Sequence, residues 1–235
     1  VGHLPPGDAV SEPYYSDDHV TIYHGDCLEI TEWLAADVLV SDPPYGIPGG
    51  RLSSHSGGVR PVHDDAQWDS LETRDAALAL WGGKPSAVFG SPKMQQFAPP
   101  HRGVPLIWDK GEGVGMGDLS FPWRPNYETI AIYGDGWTGK RTTSVLQGRV
   151  LAFGSGSVCN GRHHPHEKPL SVMAELVSKA PPGDVVDPHA GSGSTLIAAA
   201  LLGRDAWGAE IDPRYREVLL DRLASNGIQA IEISA

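Results

Sequence analysis

Asp42-Pro43-Pro44-Tyr45 puts a carboxylate, two proline carbonyls and a flat aromatic ring into four consecutive positions. Neither proline has an N–H to donate, yet both carbonyls still accept, and the paired rings stiffen the backbone. The apolar run before them, Asp37-Val38-Leu39-Val40-Ser41, reads as a short buried strand. A Pro-Pro pair at its carboxyl end stops sheet pairing there. A rigid set of acceptors beside a stacking ring suits a planar group with an exocyclic NH2, such as adenine or cytosine. An ordinary proline-rich turn accounts equally well for these four residues taken alone, since short motifs recur by chance.

A second stretch bears on the first. Val185 and Val186 lead into Asp187, Pro188, His189, Ala190, Gly191, Ser192, Gly193, Ser194 and Thr195, which read as a strand, a glycine-rich turn and the start of a helix. Gly191 and Gly193 lack Cβ atoms, so the backbone can approach a ligand closely, and the following helix aims its first amides at that ligand. A nicotinamide loop is the rival reading. It wants G-x-G-x-x-G, and here Gly193 is followed by Ser194-Thr195-Leu196 with no third glycine. With both stretches in view, the chain resembles the amino-group DNA methyltransferases that use S-adenosylmethionine (SAM). Asp42, Pro43, Pro44 and Tyr45 match that family's catalytic tetrapeptide, and Asp187 to Thr195 match its cofactor loop. The catalytic motif precedes the cofactor loop, which is the permuted order of the beta group. The likeness runs from Thr21 to Leu223 and is weakest in the middle.

The resemblance implies a doubly wound, Rossmann-like α/β sheet, mostly parallel with an antiparallel edge strand, in one methyltransferase domain over 1–235. It implies SAM as cofactor and double-stranded DNA as partner. It places the N-terminal strand beside the C-terminal half, brings Asp26 and Cys27 near the cofactor's adenine, and lets Lys168 of Lys168-Pro169 approach the SAM carboxylate. A plain N-cap role fits Asp26 as well, and simple solvent exposure fits Lys168. Glu210, followed by Ile211, ends the strand Ala206–Glu210, where an acid can accept both ribose hydroxyls of SAM or of NAD. In chemical terms, the exocyclic amine is a poor nucleophile because its lone pair is conjugated with the ring. Asp42 Oδ and the Pro43 carbonyl would accept its N–H bonds and free that lone pair, with Tyr45 stacked on the base. Positioning then supplies most of the catalysis, and the base must first flip out of the duplex. No covalent intermediate is needed, so Cys27 and Cys159 receive no nucleophilic role. Adenine N6 is the expected target, with cytosine N4 as the alternative, because the family's cytosine enzymes more often carry Ser at the position of Asp42. Readings of another class are an RNA methyltransferase or a non-catalytic SAM-fold binding module. Protein-glutamine enzymes carry a related tetrapeptide after the cofactor loop, the opposite order.

Composition sets the bounds. A chain of 235 residues, 40% hydrophobic and 20% charged, fits one globular α/β domain. Its 29 glycines and 20 prolines predict many turns. No apolar run is long enough to span a bilayer, and Val1 to Pro6 lacks the features of a signal peptide. Two cysteines make no disulfide framework, so a reducing cytoplasm is the expected compartment, and the resemblance implies that of a bacterial or phage-infected bacterial cell. The net charge of −11 argues against indiscriminate nucleic-acid binding. Between Gly136 and Lys168, however, Lys140, Arg141, Arg149, Arg162 and Lys168 face only one acid, Glu167. Lys140, Arg141, Arg149 and Arg162 are therefore the candidate DNA contacts, although a solvated loop would show the same charges. The family carries its target-recognition region in this slot, at 134–165. Here it is short, and homodimerisation would compensate for that. Cys159, His163, His164 and His166 lack a second ligand pair, so no metal is expected.

The elements that must position these residues follow in order. Val1 to Asp18 reads as a mobile arm, Val20–His24 as a strand, and Gly25 to Leu34 as a turn into a helix. Gly46 to Asp65 has no periodicity and reads as a lid-like mobile loop or as simple disorder. Asp69 to Trp81 has helical spacing, Ala87–Gly90 forms a strand, and Pro92 to Phe97 forms one or two helical turns. Val104–Trp108 and Glu128–Tyr133 read as an antiparallel pair at a sheet edge, with Gly134 to Pro165 irregular. An apolar stripe from Leu170 to Val177 marks a core helix. Helices at Thr195–Leu202 and after Asp212-Pro213, and a small strand within Ile228–Ile233, complete the chain.

Overall fold

The computed structural model describes residues 12–46, 51–52, 60–61, 70–92, 96–111, 120, 122–148, 167–228 and 231–232. Its strands are β1 (Tyr15–Ser16), β2 (Val20–His24), β3 (Val38–Ser41), β4 (Arg51–Leu52), β5 (Arg60–Pro61), β6 (Ser86–Gly90), β7 (Leu106–Asp109), β8 (Tyr127–Tyr133), β9 (Val145–Gln147), β10 (Val185–Asp187), β11 (Ala206–Glu210) and β12 (Ile231–Glu232). The α-helices are α1 (Leu71–Trp81), α2 (Leu170–Lys179), α3 (Ser194–Leu201) and α4 (Arg214–Ser225).

Ten strands form one sheet in the order β12-β1-β2-β11-β10-β3-β6-β8-β7-β9. Every neighbouring pair from β2 to β6 is parallel. β8 runs against both β6 and β7, and β1 runs against β2 and β12. The carboxyl ends of five parallel strands therefore share one edge, and the start of β8 joins them there. Ligands of open α/β sheets bind at that edge.

Burial on both sides explains why the parallel strands read as continuous apolar runs. Val38 and Val40 of β3 pack into a core with Met173 and Leu176 of α2, Leu196 and Ile197 of α3, and Leu219 and Leu223 of α4. Leu39, between them, faces the opposite core with Trp33, Ala77, Leu78 and Trp81. The sheet is thus wound on both faces, as expected. Helix α1 starts at Ser70, whose side chain accepts the Thr73 N–H at 3.1 Å, and ends at Gly82 in the left-handed region.

Several local expectations are corrected. Gly25 to Leu34 is a turn followed by a 3-10 helix at Glu32–Ala35 rather than one helix. Asp26 Oδ1 accepts the Leu28 N–H at 2.9 Å and the Trp33 indole donates to the Cys27 carbonyl at 2.8 Å, so local side-chain bonds hold the turn. The N-terminal arm is not loose to Asp18: Tyr15 is wholly buried and β1 bridges β2 and β12. β7 and β8 pair antiparallel as read, but β9 lies outside β7 and parallel to it, within the stretch read as irregular. Three residues with one buried side chain, Leu146, give too short an alternation to detect. In the 46–65 loop, β4 and β5 pair antiparallel, while 47–50, 53–59 and 62–65 lie outside the described residues. Residues 93–95 of the expected 92–97 turn also lie outside them, and the rest of that stretch forms no helix.

Candidate active site

The two motifs, far apart in sequence, meet because β3 and β10 are neighbours, with Val38 paired to Val185 and Leu39 to Val186. Asp187 fastens them together. It accepts the Ser41 hydroxyl at 2.7 Å, the Thr195 hydroxyl at 2.7 Å and the His189 N–H at 3.1 Å. The same Thr195 hydroxyl lies 3.1 Å from the Val40 carbonyl. Asp187 is therefore a clasp between the strand that leads to Asp42 and the glycine-rich loop, with only 3% of its surface exposed. Burial pushes its carboxyl up to about 6 despite those three hydrogen bonds.

Beyond Asp187 the loop is held from beneath. Glu210, at the end of β11, accepts the Gly191 N–H at 2.6 Å and the Asp212 N–H at 2.7 Å. Burial raises its carboxyl to about 7. Buried Arg222 of α4 bonds Ser192 and Ser194 and pairs with Glu167 at 2.9 Å. Gly193 has φ +78°, and a Cβ there would stand 2.9 Å from Leu219 Cγ, so only glycine fits. Pro188 and Ala190 are buried, whereas Ile211 is half-buried. Asp26 and Cys27 follow β2, which pairs with β11 through Glu210 and His24, so they join the same edge. Cys27 Sγ is 3.6 Å from His189 Nε2. Burial pushes the thiol up to about 12 and His189 down to about 4, so at neutral pH this pair is a thiol beside a neutral imidazole. It makes no thiolate nucleophile.

Asp42 and Tyr45 sit in a second cluster, on the side of the edge nearer β8. The Tyr45 hydroxyl lies 2.7 Å from Asp42 Oδ1 and 3.0 Å from Glu128 Oε2. Lys168 Nζ lies 2.5 Å from Asp42 Oδ2 and 3.1 Å from Glu128 Oε2. Lys110 pairs with Glu128 Oε1. Two carboxylates and two ammonium groups thus share one partly enclosed site, and each charge has a partner, as enclosure demands. Burial pushes the Glu128 carboxyl up, but Lys168 and Lys110 outweigh it and hold the group down at about 2. Burial and the neighbouring carboxylates keep the Tyr45 phenol protonated. Phe89 and Trp108, edge to face at 6.2 Å, flank the Lys168 ammonium at 5.2 and 5.6 Å.

Lys168, expected to approach the cofactor carboxylate, lies in this cluster. Its ammonium is committed to Asp42 and Glu128, and only its carbonyl touches the loop, accepting the Ser194 hydroxyl at 2.9 Å. Pro169 is the N-cap residue of α2. Lys110 and Glu128 were missed by sequence reasoning. The available signal was an acid opening an otherwise apolar strand, opposite Trp108 in register. Of the basic candidates, Lys140 and Arg141 are exposed ahead of β9, while Arg149 and Arg162 lie outside the described residues, as do Cys159, His163, His164 and His166. Among the described residues no cluster suited to a metal ion occurs and no helix is long and apolar enough to cross a membrane.

Residues 108–221 match the family model described as DNA methylase, of the N6 and N4 class. Type II methyltransferase M.ScaI of Streptomyces caespitosus is 24% identical over 262 residues, covering 92% of this chain and 84% of that protein. Among solved structures, the M1.HpyAVI–SAM complex aligns with a TM-score of 0.58 at 20% identity, over 87% of this chain and 98% of that one. The PvuII DNA methyltransferase, cytosine-N4-specific, aligns with a TM-score of 0.61 at 14% identity, over 95% and 91%. The family match and the near full-length relative support a DNA methyltransferase of the N6/N4 class.

Proposed function

We propose that this methyltransferase moves a methyl group from SAM to the exocyclic amine of a base in double-stranded DNA, with adenine N6 as its target. The observation that supports the reading is the juxtaposition of Asp42–Tyr45 and the Gly191–Gly193 turn at the carboxyl ends of adjacent parallel strands. The loop suits the cofactor. A Cβ at Gly191 would meet nothing nearer than the His189 carbonyl at 3.9 Å, so the turn presents open backbone. Glu210 is buried with two amide donors, and a carboxylate has room for about four hydrogen bonds, so the two ribose hydroxyls would complete its shell. Asp26, Cys27 and Ile211 flank that position, and the Asp187–Thr195 segment forms its wall.

When bound, SAM supplies an electrophilic methyl group. Asp42 and the Pro43 carbonyl accept the amine N–H bonds and hold the nitrogen in line. As the nitrogen forms its new bond its N–H groups grow more acidic, so these acceptors stabilise the transition state more than the ground state. The Tyr45 ring stacks on the flipped base; such stacking contributes about 1–3 kcal/mol, which offsets part of the few kcal/mol that flipping costs. Lys140 and Arg141, in the short 134–165 recognition segment, contact the DNA backbone.

The test uses methyl-labelled SAM and unmethylated duplex DNA, followed by digestion to nucleosides and mass spectrometry. Label in N6-methyladenine is expected. Label in N4-methylcytosine would correct the base and keep the mechanism. No labelled base from a protein that still binds SAM would refute the reading.

A further inference from the structure

The polar groups around Asp42 form a closed ring. Asp42 Oδ2 meets Lys168 Nζ at 2.5 Å, Lys168 meets Glu128 Oε2 at 3.1 Å, Glu128 Oε2 meets the Tyr45 hydroxyl at 3.0 Å, and that hydroxyl meets Asp42 Oδ1 at 2.7 Å. The phenol has one proton and two carboxylates in reach. Lys168 has donors for both acids, so it favours neither. Lys110 holds the other Glu128 oxygen, which keeps Oε2 turned into the ring. The Glu128 side chain on β8 is 10% exposed, whereas the Asp42 side chain is 24% exposed. A base can therefore reach Asp42, while Glu128 stays behind it.

We infer that Glu128 is a positioning residue that takes the Tyr45 hydroxyl bond when the target amine arrives, leaving Asp42 Oδ1 free to accept the amine N–H. The switch is a rotation about one C–O bond. Without Glu128 as an acceptor, the enclosed hydroxyl would compete with the amine for Asp42. This inference rests on the reading of Asp42 as the amine acceptor.

Steady-state kinetics on wild type, Glu128→Gln, Tyr45→Phe and the double variant test it, with SAM affinity measured separately by calorimetry. Glutamine keeps the shape, but its amide is a weaker acceptor that Lys168 also claims. Glu128→Gln should lower kcat at least tenfold while KM for DNA and the SAM Kd stay within about threefold. Tyr45→Phe alone should lower kcat a few-fold. In the Glu128→Gln background it removes the competing proton, so the double variant should be no slower than Glu128→Gln, a departure from multiplicative losses that a merely structural role does not produce. Should Glu128→Gln alone lose SAM binding, Lys110→Met combined with Glu128→Gln restores neutral charge in the cluster and carries the same expectation. Wild-type kcat in Glu128→Gln, or a full Tyr45→Phe loss added on top of it, would overturn the inference. Inactive wild-type protein would instead strike the underlying reading of DNA amine methylation.

Discussion

Replacing Asp187 by Asn separates the clasp's hydrogen bonds from its charge. The asparagine Oδ1 can still accept from Ser41 and His189. Its NH2 can donate to Thr195 Oγ1, because the Thr195 hydroxyl has a second acceptor, the Val40 carbonyl, at 3.1 Å. The hydrogen bonds are thus conserved in number, while a buried carboxylate is lost. Its folded pKa is raised from 3.8 to about 6, so the folded state binds more protons between those values and wild-type stability falls as pH rises through that window. Two pKa units correspond to about 3 kcal/mol, present in full only above pH 6. Thermal unfolding should therefore find Asp187→Asn equal to wild type near pH 4 and more stable at pH 8. The gain should be about 1–3 kcal/mol, each kcal/mol worth about 2–4 °C in Tm. Asp187→Ala leaves the Ser41 hydroxyl and the His189 N–H without this acceptor, and it should cost about 2–4 kcal/mol at either pH. If Asp187→Asn lowers Tm at pH 8, the carboxylate is worth more as an acceptor than it costs as a buried charge, and the reasoning is wrong.

Gly193→Ala forces a left-handed residue against Leu219 and should cost about 2 kcal/mol or more, with a matching fall in Tm and weakened SAM binding; unchanged Tm would show that the turn can relax. SAM affinity should rise about tenfold from pH 6 to pH 8 with release of a proton, because ribose hydroxyls bond the ionised form of Glu210, whose carboxyl sits at about 7 before binding; calorimetry in buffers of different ionisation enthalpy reads both quantities, and a flat Kd would remove Glu210 from the ribose site. Lys140→Ala with Arg141→Ala should weaken DNA binding at low salt and reduce the slope of log Kd against log salt by about 2, one for each phosphate no longer neutralised; an unchanged slope would place the DNA elsewhere.

What the sequence disclosed depended on whether a residue's role was local. The strands at Val20–His24 and Ala206–Glu210 were legible to the residue, because each is a short, mostly buried stretch between turn signals. The Gly191–Gly193 turn was legible because its glycines serve a local backbone need. For Lys168, the contacts with Asp42 and Glu128 were not legible. Its position before α2 said only that it approached the edge, and the choice between cofactor and Asp42 lay with Glu128, on a strand whose register no local pattern sets. β1 and β9 were invisible for a related reason: each is too short to show a period and exists only because a neighbour offers a free edge to pair with.

The permuted order of the two motifs follows from the same distinction. The proposed reaction needs Asp42 near the glycine-rich turn, and what brings them together is strand adjacency, not chain order. β3 and β10 are neighbours across 146 positions, as the bond from Ser41 to Asp187 shows. In parallel strands, a slip of one residue would move Ser41 by about 3.3 Å and turn it to the other face. The Ser41 bond to Asp187 and the Thr195 bond to the Val40 carbonyl would then be broken at once. The clasp therefore sets the register of the strand that carries Asp42, and Ser41, though it touches neither base nor cofactor in the proposed reaction, fixes where the acceptor points. An enzyme assembled this way can exchange the order of its halves freely, provided that each half keeps its side of the clasp.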